Sequence, residues 1–109
     1  MKLVIAVVQD EDVNELMSKL LHKKFSATKL ASTGGFLREG NTTLFVGVEK
    51  EKVDDVIDII KDVCKSRSQT LTTPIPPTGS AGVFIPYPVE VTVGGATIFV
   101  IDIDRFEKA

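Results

Sequence analysis

The sequence has little with which to do covalent or redox chemistry. It holds one cysteine and one histidine among 109 residues, and most hydrolytic and redox mechanisms need more of those side chains. No Ser/His/Asp order, P-loop or metal-ligand cluster can be assembled from what remains. His22 has no second histidine with which to share a metal and reads as a surface or capping residue. Cys64 cannot close an internal disulfide. Its place in an apolar helical pattern reads as a buried thiol in a reducing compartment. Charge of one sign is also scarce: a net charge of −2 supplies no basic face for a nucleic-acid polymer. Long apolar runs are missing too. Met1-Lys-Leu-Val-Ile-Ala-Val-Val8 is too short to cross a membrane and precedes no small-residue cleavage site. It reads as a core strand of a cytoplasmic protein with no membrane partner.

What is there suits one small globular domain, residues 1–109. The apolar fraction of 43% is ordinary for a folded core. A chain of this length buries a modest share of its surface, so association with further copies is a natural source of stability.

Strands and helices alternate along the chain. Residues 3–8 form a continuous apolar, β-branched run, the pattern of a strand covered on both faces. Asp12 stands as a helix N-cap with Glu15 at the capping-box spacing. Val13, Leu16, Met17, Leu20 and Leu21 then make one apolar stripe, and His22, Lys23 and Lys24 place positive charge where the macrodipole is negative. Residues 25–32 read as a second strand, 33–41 as a turn and 42–48 as a third strand. A second helix over 50–64 carries Val53, Val56, Ile57, Ile60 and Cys64 on one side, with Asp54, Asp55, Asp58 and Lys61 on the wet side. Residues 66–88 hold all five prolines, and this reads as a long structureless connection, functional or mobile. Val89, Val91 and Val93 alternate with polar residues. Gly94-Gly95 is a two-residue hairpin signal, and 96–103 returns as a last strand. The order β-α-β-β-α-β is the ferredoxin-like arrangement of an α+β domain, here with an extra C-terminal strand extending the sheet.

The densest local chemistry lies in Thr28-Lys-Leu-Ala-Ser-Thr-Gly-Gly-Phe-Leu-Arg-Glu-Gly-Asn-Thr-Thr43. Hydroxyls, glycines, one aromatic ring, a cation and an amide suit a small ligand with phosphates and a flat base. Glycine-exposed N–H groups can cradle phosphate, and an aromatic face can stack on a purine. Hydroxyls and amides can read base edges. Simpler roles stand beside each of these. Gly34 and Gly35 suit a tight turn, and Phe36 can anchor its own loop. Thr28, Thr42 and Thr43 are good strand residues, and Asn41 tolerates a left-handed turn. Arg38 with Glu39 is most simply a solvated pair. Asp102 and Asp104, at i, i+2 on a terminal strand, read as solvent-facing rather than as paired catalytic carboxylates.

Taken together, Val7-Val-Gln-Asp10, Ala27-Thr-Lys-Leu-Ala-Ser-Thr-Gly-Gly-Phe-Leu-Arg38, Gly40-Asn-Thr-Thr43, Ile85-Pro-Tyr-Pro-Val-Glu-Val91 and Val93-Gly-Gly-Ala-Thr97 resemble the PII-like cyclic di-AMP receptor family of Gram-positive bacteria. The resemblance covers nearly the whole chain. It implies a ferredoxin-like homotrimer whose sheets face the three-fold axis, with cyclic di-AMP bound in clefts between subunits. It also implies a short connection after the second strand and a long one after the second helix, as found here. Residue by residue, it implies that Ala27 and Thr28 contact phosphate and base, that Gly35, Phe36 and Leu37 cover one adenine, that Asn41 reads adenine or ribose, and that Gly47 offers a backbone contact. The family commonly carries an asparagine and an arginine where this chain has Lys24 and Ser26, and a glutamine where it has Lys108. A forked phosphate clamp is thereby replaced by the point charge of Lys24 or Lys29.

The expected function is a signal receptor rather than an enzyme. It would need no cofactor and no metal beside its ligand, and would be read by a downstream protein the sequence does not name. The alternative is a PII-like regulator of ATP, ADP or another adenylate. A small enzyme on the same scaffold is the third reading, since fold alone does not fix function.

Overall fold

A computed structural model of the chain describes residues 1–30, 40–74 and 86–109. Its main layer is a four-stranded antiparallel sheet in the order β2-β3-β1-β6. The strands are β1 (Lys2–Gln9), β2 (Ala27–Lys29), β3 (Asn41–Val48) and β6 (Ala96–Asp102), with β4 (Arg67–Pro74) and β5 (Pro86–Val93) forming a separate two-stranded ribbon. Two helices, α1 (Asp10–His22) and α2 (Val53–Val63), cross one face of the main sheet. The sequence β1-α1-β2-β3-α2-β6 gives the β-α-β-β-α-β order and the strand arrangement expected of a ferredoxin-like domain.

The core lies between sheet and helices. Val4, Ala6 and Val8 from β1, Leu44 and Val46 from β3, Leu16 and Leu20 from α1, and Val56 and Ile60 from α2 are all buried. The period-2 burial of β1 and β3 shows that one sheet face is covered. This corrects the expectation for β1: its apolar run is covered on one face only. Leu3, Ile5 and Val7 on the other face are half-buried. They continue across the ladder to Phe45 on β3 and to Phe99 and Ile101 on β6. Phe99 is 53% exposed and Ile101 48%. The run is apolar on both sides, and the helices cover only one of them.

Three local expectations change. Asp12 does not cap α1. The helix starts at Asp10 after Gln9, which makes no side-chain cap. Asp10, Glu11 and Asp12 instead put negative charge on the positive end of the helix, and the Asp12 carboxylate is taken by Arg67. Leu21 leaves the apolar stripe and is 72% exposed, while Val13, Leu16 and Leu20 are buried. The second helix begins with a 3-10 turn, Lys50–Lys52, before α2 proper.

The largest difference concerns 66–88 and the glycines that follow. Residues 67–74 are not structureless: β4 pairs with β5 from Arg67↔Val93 to Pro74↔Pro86. Each strand of a two-stranded ribbon is an edge, so prolines 74, 86 and 88 interrupt no second ladder. Consequently Gly94-Gly95 does not make a hairpin between neighbouring strands. It carries the chain from the ribbon to the main sheet, with φ of 84° and 95° that favour glycine. At Gly94 a Cβ would lie 2.4 Å from the Lys65 carbonyl oxygen and 2.5 Å from Arg67 Nη1, so no side chain fits. The last strand does not extend a finished sheet as an extra member. It is the fourth strand, paired with β1 from Lys2↔Asp102 to Val8↔Ala96.

Candidate functional site

Of the residues expected to hold ligand, Ala27 and Thr28 fall on β2 and Asn41 and Gly47 on β3. The short β2 strand pairs Ala27 with Val46 and Thr28 with Phe45, and Leu30 N–H donates to the Thr43 carbonyl at 2.8 Å. Directly paired residues share a sheet face. Thr28 therefore stands with Phe45 on the face away from the helices. Asn41, Thr43 and Gly47 follow the same alternation along β3, opposite the buried Thr42, Leu44, Val46 and Val48. Thr28, Asn41 and Gly47 thus share one open face. Ala27 does not: it is half-buried, packs on the core beside Val46, and lines a helix-side groove with Met17, Leu21 and Phe25. Gly35, Phe36 and Leu37 lie outside the described residues, as do Gly34, Arg38 and Glu39 and the side chain of Tyr87.

Three grooves of about 400–420 Å³ sit around the helices, lined by residues such as Ser18, His22, Lys23, Phe25, Asp55 and Ile59. Asn41 and Gly47 are six residues apart on an extended strand, roughly 20 Å at ~3.4 Å per residue. Thr28, Asn41 and Gly47 are therefore spread along the open sheet face rather than gathered at one point.

Gly47 is informative in its own right. Its side is exposed, its φ is not positive, and a Cβ there would meet only Met1 Cε at an ordinary 3.7 Å. Among the described residues nothing requires glycine there. Glycine within a strand often accompanies a bulge, a tight bend or the close approach of a ligand or another backbone.

Lys24 also stands out. It follows α1 with φ 67°, the one non-glycine residue described with positive φ, and its N–H closes the helix on the Leu21 carbonyl at 2.8 Å. Glycine or asparagine is usual there. Holding a lysine left-handed costs about 1 kcal/mol, and such strain tends to persist where a side chain has work to do. Both lysines are exposed: Lys24 precedes β2, and Lys29 is its last residue, paired with Leu44 and so on the opposite face from Thr28.

Behind the strip lies a polar corner that sequence spacing did not disclose. Gln9 Oε1 accepts the Gly94 N–H at 2.7 Å. Asp10 N–H donates to the Gly40 carbonyl at 3.1 Å, and the Thr42 hydroxyl donates to the Asp10 carboxylate. Arg67 Nη2 donates to Asp12 Oδ1 at 2.9 Å, and Nη1 to the Lys65 carbonyl at 3.0 Å. Asp12 is 4% exposed, and its Oδ2 has no hydrogen-bond partner among the described residues. The hydrogen bond to Asp12 pushes the Arg67 guanidinium pKa up. Burial first, and then the Asp12 charge, push the Cys64 thiol up to about 11. Cys64 is therefore a protonated, buried thiol rather than a nucleophile. The Val7-Val-Gln-Asp10 motif marks this corner in sequence, but its partners at 67 and 94 are visible only in the fold.

The described chain is thus an antiparallel α+β domain whose helices cover one sheet face and whose other, apolar face carries Thr28, Asn41 and Gly47. Comparison with known proteins gives the family. The profile described as cyclic-di-AMP receptor matches residues 1–109, and the chain belongs to that family. The fold is also similar to the crystal structure of a functionally unknown protein from Pediococcus pentosaceus ATCC 25745. The two share 44% sequence identity and a TM-score of 0.79, over 99% of this chain and 96% of that chain. No helix among the described residues is long and apolar enough to cross a membrane.

Proposed function

We infer that the protein is a cyclic di-AMP receptor of the PII-like type: a cytoplasmic homotrimer, not an enzyme, that binds its ligand between subunits. The carrying observation is that Thr28, Asn41 and Gly47 share the sheet face that the helices leave open. A second copy laid against Leu3, Ile5, Phe45, Phe99 and Ile101 would bury that face and turn the strip into a cleft. Apolar burial supplies the association energy at ~25 cal/mol per Å².

Within that cleft Thr28 and Asn41 read the adenine or ribose edges, the Gly47 backbone receives the ligand closely, and the Ala27 contribution falls to its backbone. Gly35, Phe36 and Leu37 cover one adenine. Lys24 supplies positive charge to the phosphates, since Lys29 pairs with Leu44 on the helix-side face. The loops reorder on binding and a partner protein reads the change; no cofactor or metal takes part.

Thermal shift with a nucleotide panel tests the reading. Stabilisation by cyclic di-AMP well above that by ATP, ADP or cyclic di-GMP is expected. Stabilisation by ATP or ADP alone would overturn it in favour of an adenylate regulator.

A further inference from the structure

Three residues within one four-residue stretch, Gln9, Asp10 and Asp12, join parts of the molecule far apart in sequence. Gln9 ends β1 directly opposite Asn41 in the β1–β3 ladder, and the same side chain accepts the N–H of Gly94, just past β5. Asp10 clasps the start of β3 twice, through its N–H to Gly40 and its carboxylate to Thr42. Asp12 holds Arg67, the first residue of β4. The Gly95 N–H bonds to the Cys64 carbonyl alongside. Both strands of the ribbon are thus rooted on the corner that also grips the start of β3.

Among the described residues, the remainder of the ribbon ladder pairs only β4 with β5. An isolated two-stranded ribbon is marginally stable in water, so its root contacts set its order and orientation. The Asp12–Arg67 pair is a costly way to secure a root, because a carboxylate with one unpartnered oxygen is buried to make it. Tight packing leaves the root few alternatives. Gly94 touches the Arg67 guanidinium and the Lys65 carbonyl so closely that a methyl group would not fit. A displacement of β3 at Asn41 therefore reaches Gln9 through the ladder and Gly94 through one side chain.

We propose that the corner from Gln9 to Asp12 is the coupling element that transmits ligand occupancy at Asn41 to the β4–β5 ribbon, with Gln9 and the Asp12–Arg67 pair as its positioning residues. The proposal rests on the reading of Asn41 as a ligand contact. Its consequence is that the ribbon, rather than the helix face, reports the bound state. Coupling is reciprocal, so whatever captures the ordered ribbon also tightens the ligand.

The test is amide hydrogen exchange on the full chain with and without saturating cyclic di-AMP, for the wild type, Gln9→Met and Arg67→Gln. In the wild type the ligand should slow exchange of residues 67–70 and 90–94 by about fivefold or more. In each variant the ligand should still slow exchange along β3, and calorimetry should still show binding, while the ligand-dependent change in the ribbon disappears. A purely structural root would behave otherwise: ribbon exchange would rise equally with and without ligand, and the ratio would survive. A surviving ratio overturns the proposal, as does wild-type binding that leaves the ribbon unchanged. Absence of calorimetric binding by the wild type overturns the cyclic di-AMP reading itself, and the coupling with it. Should Arg67→Gln fail to fold, leaving Asp12 buried and unpaired, Gln9→Met keeps the ion pair and decides the matter alone.

Discussion

Phe99 offers the sharpest test of the open sheet face. It leaves 53% of its surface exposed in the single chain. An aromatic side chain buries 150–250 Å² when fully covered, so roughly 100 Å² of Phe99 awaits a partner. At ~25 cal/mol per Å² that area is worth about 2.5 kcal/mol per subunit. Phe99→Ala removes most of it, and three copies weaken a trimer by about 6 kcal/mol, or roughly 10⁴-fold in its association constant. The half-exposed ring contributes far less to the isolated fold, so the separated chains should lose about 1 kcal/mol or less. Sedimentation velocity over a concentration series reads the first quantity, and denaturant unfolding of dilute protein reads the second. Phe99→Asp, which would set three carboxylates against an apolar axis, should leave only separated chains. A Phe99→Asp variant that still sediments as a trimer would refute the reasoning.

Other outcomes follow from individual positions. Thr28→Val and Asn41→Ala should each weaken cyclic di-AMP binding by ~1–3 kcal/mol, because each leaves a ligand group unpaired; calorimetry checks this, and equal affinities would remove both from the site. Gly47→Ala should leave the melting temperature within a few degrees, since its Cβ meets only an ordinary contact, yet weaken the ligand by blocking its approach. Lys24→Gly should relieve the left-handed strain and stabilise the fold by about 1 kcal/mol, while loss of the charge lowers ligand affinity; parallel gains in both would remove Lys24 from the phosphate contacts. The Cys64 thiol, raised from 9.0 to about 11, holds its proton longer in the folded chain than in the unfolded one. Its contribution to stability is therefore complete below about pH 9 and lost as pH rises toward 11. Denaturant midpoints across that window, compared with Cys64→Ala, should show the difference, and identical profiles would count against it.

Much of this fold is legible in the sequence, because it is written in periodicity. The stripe through Val13, Leu16 and Leu20 and the face through Val56, Ile60 and Cys64 are local patterns, and they bury as their spacing dictates. The alternation along β3 likewise places Thr28, Asn41 and Gly47 together once strand pairing is known. What escaped is long-range or depends on edges. Prolines 74, 86 and 88 argue against a central strand but not against a ribbon made only of edges. Gly94 and Gly95 look like a tight turn, although their neighbours pair elsewhere. Asp12 has the spacing of a helix cap, and no local rule discloses that Arg67, 55 residues on, takes its carboxylate. The apolar run of β1 has the pattern of a strand covered on both faces, and in one chain only one face is covered. That mismatch is itself the reason to expect further copies.

The most direct measurement is calorimetry of cyclic di-AMP with the wild-type protein and with Phe99→Asp at the same subunit concentration. If the site is built between subunits, the wild type binds with one ligand per subunit and the separated chains, still folded, bind little or none. Equal affinity in the two would place the whole site within a single chain and contradict the account.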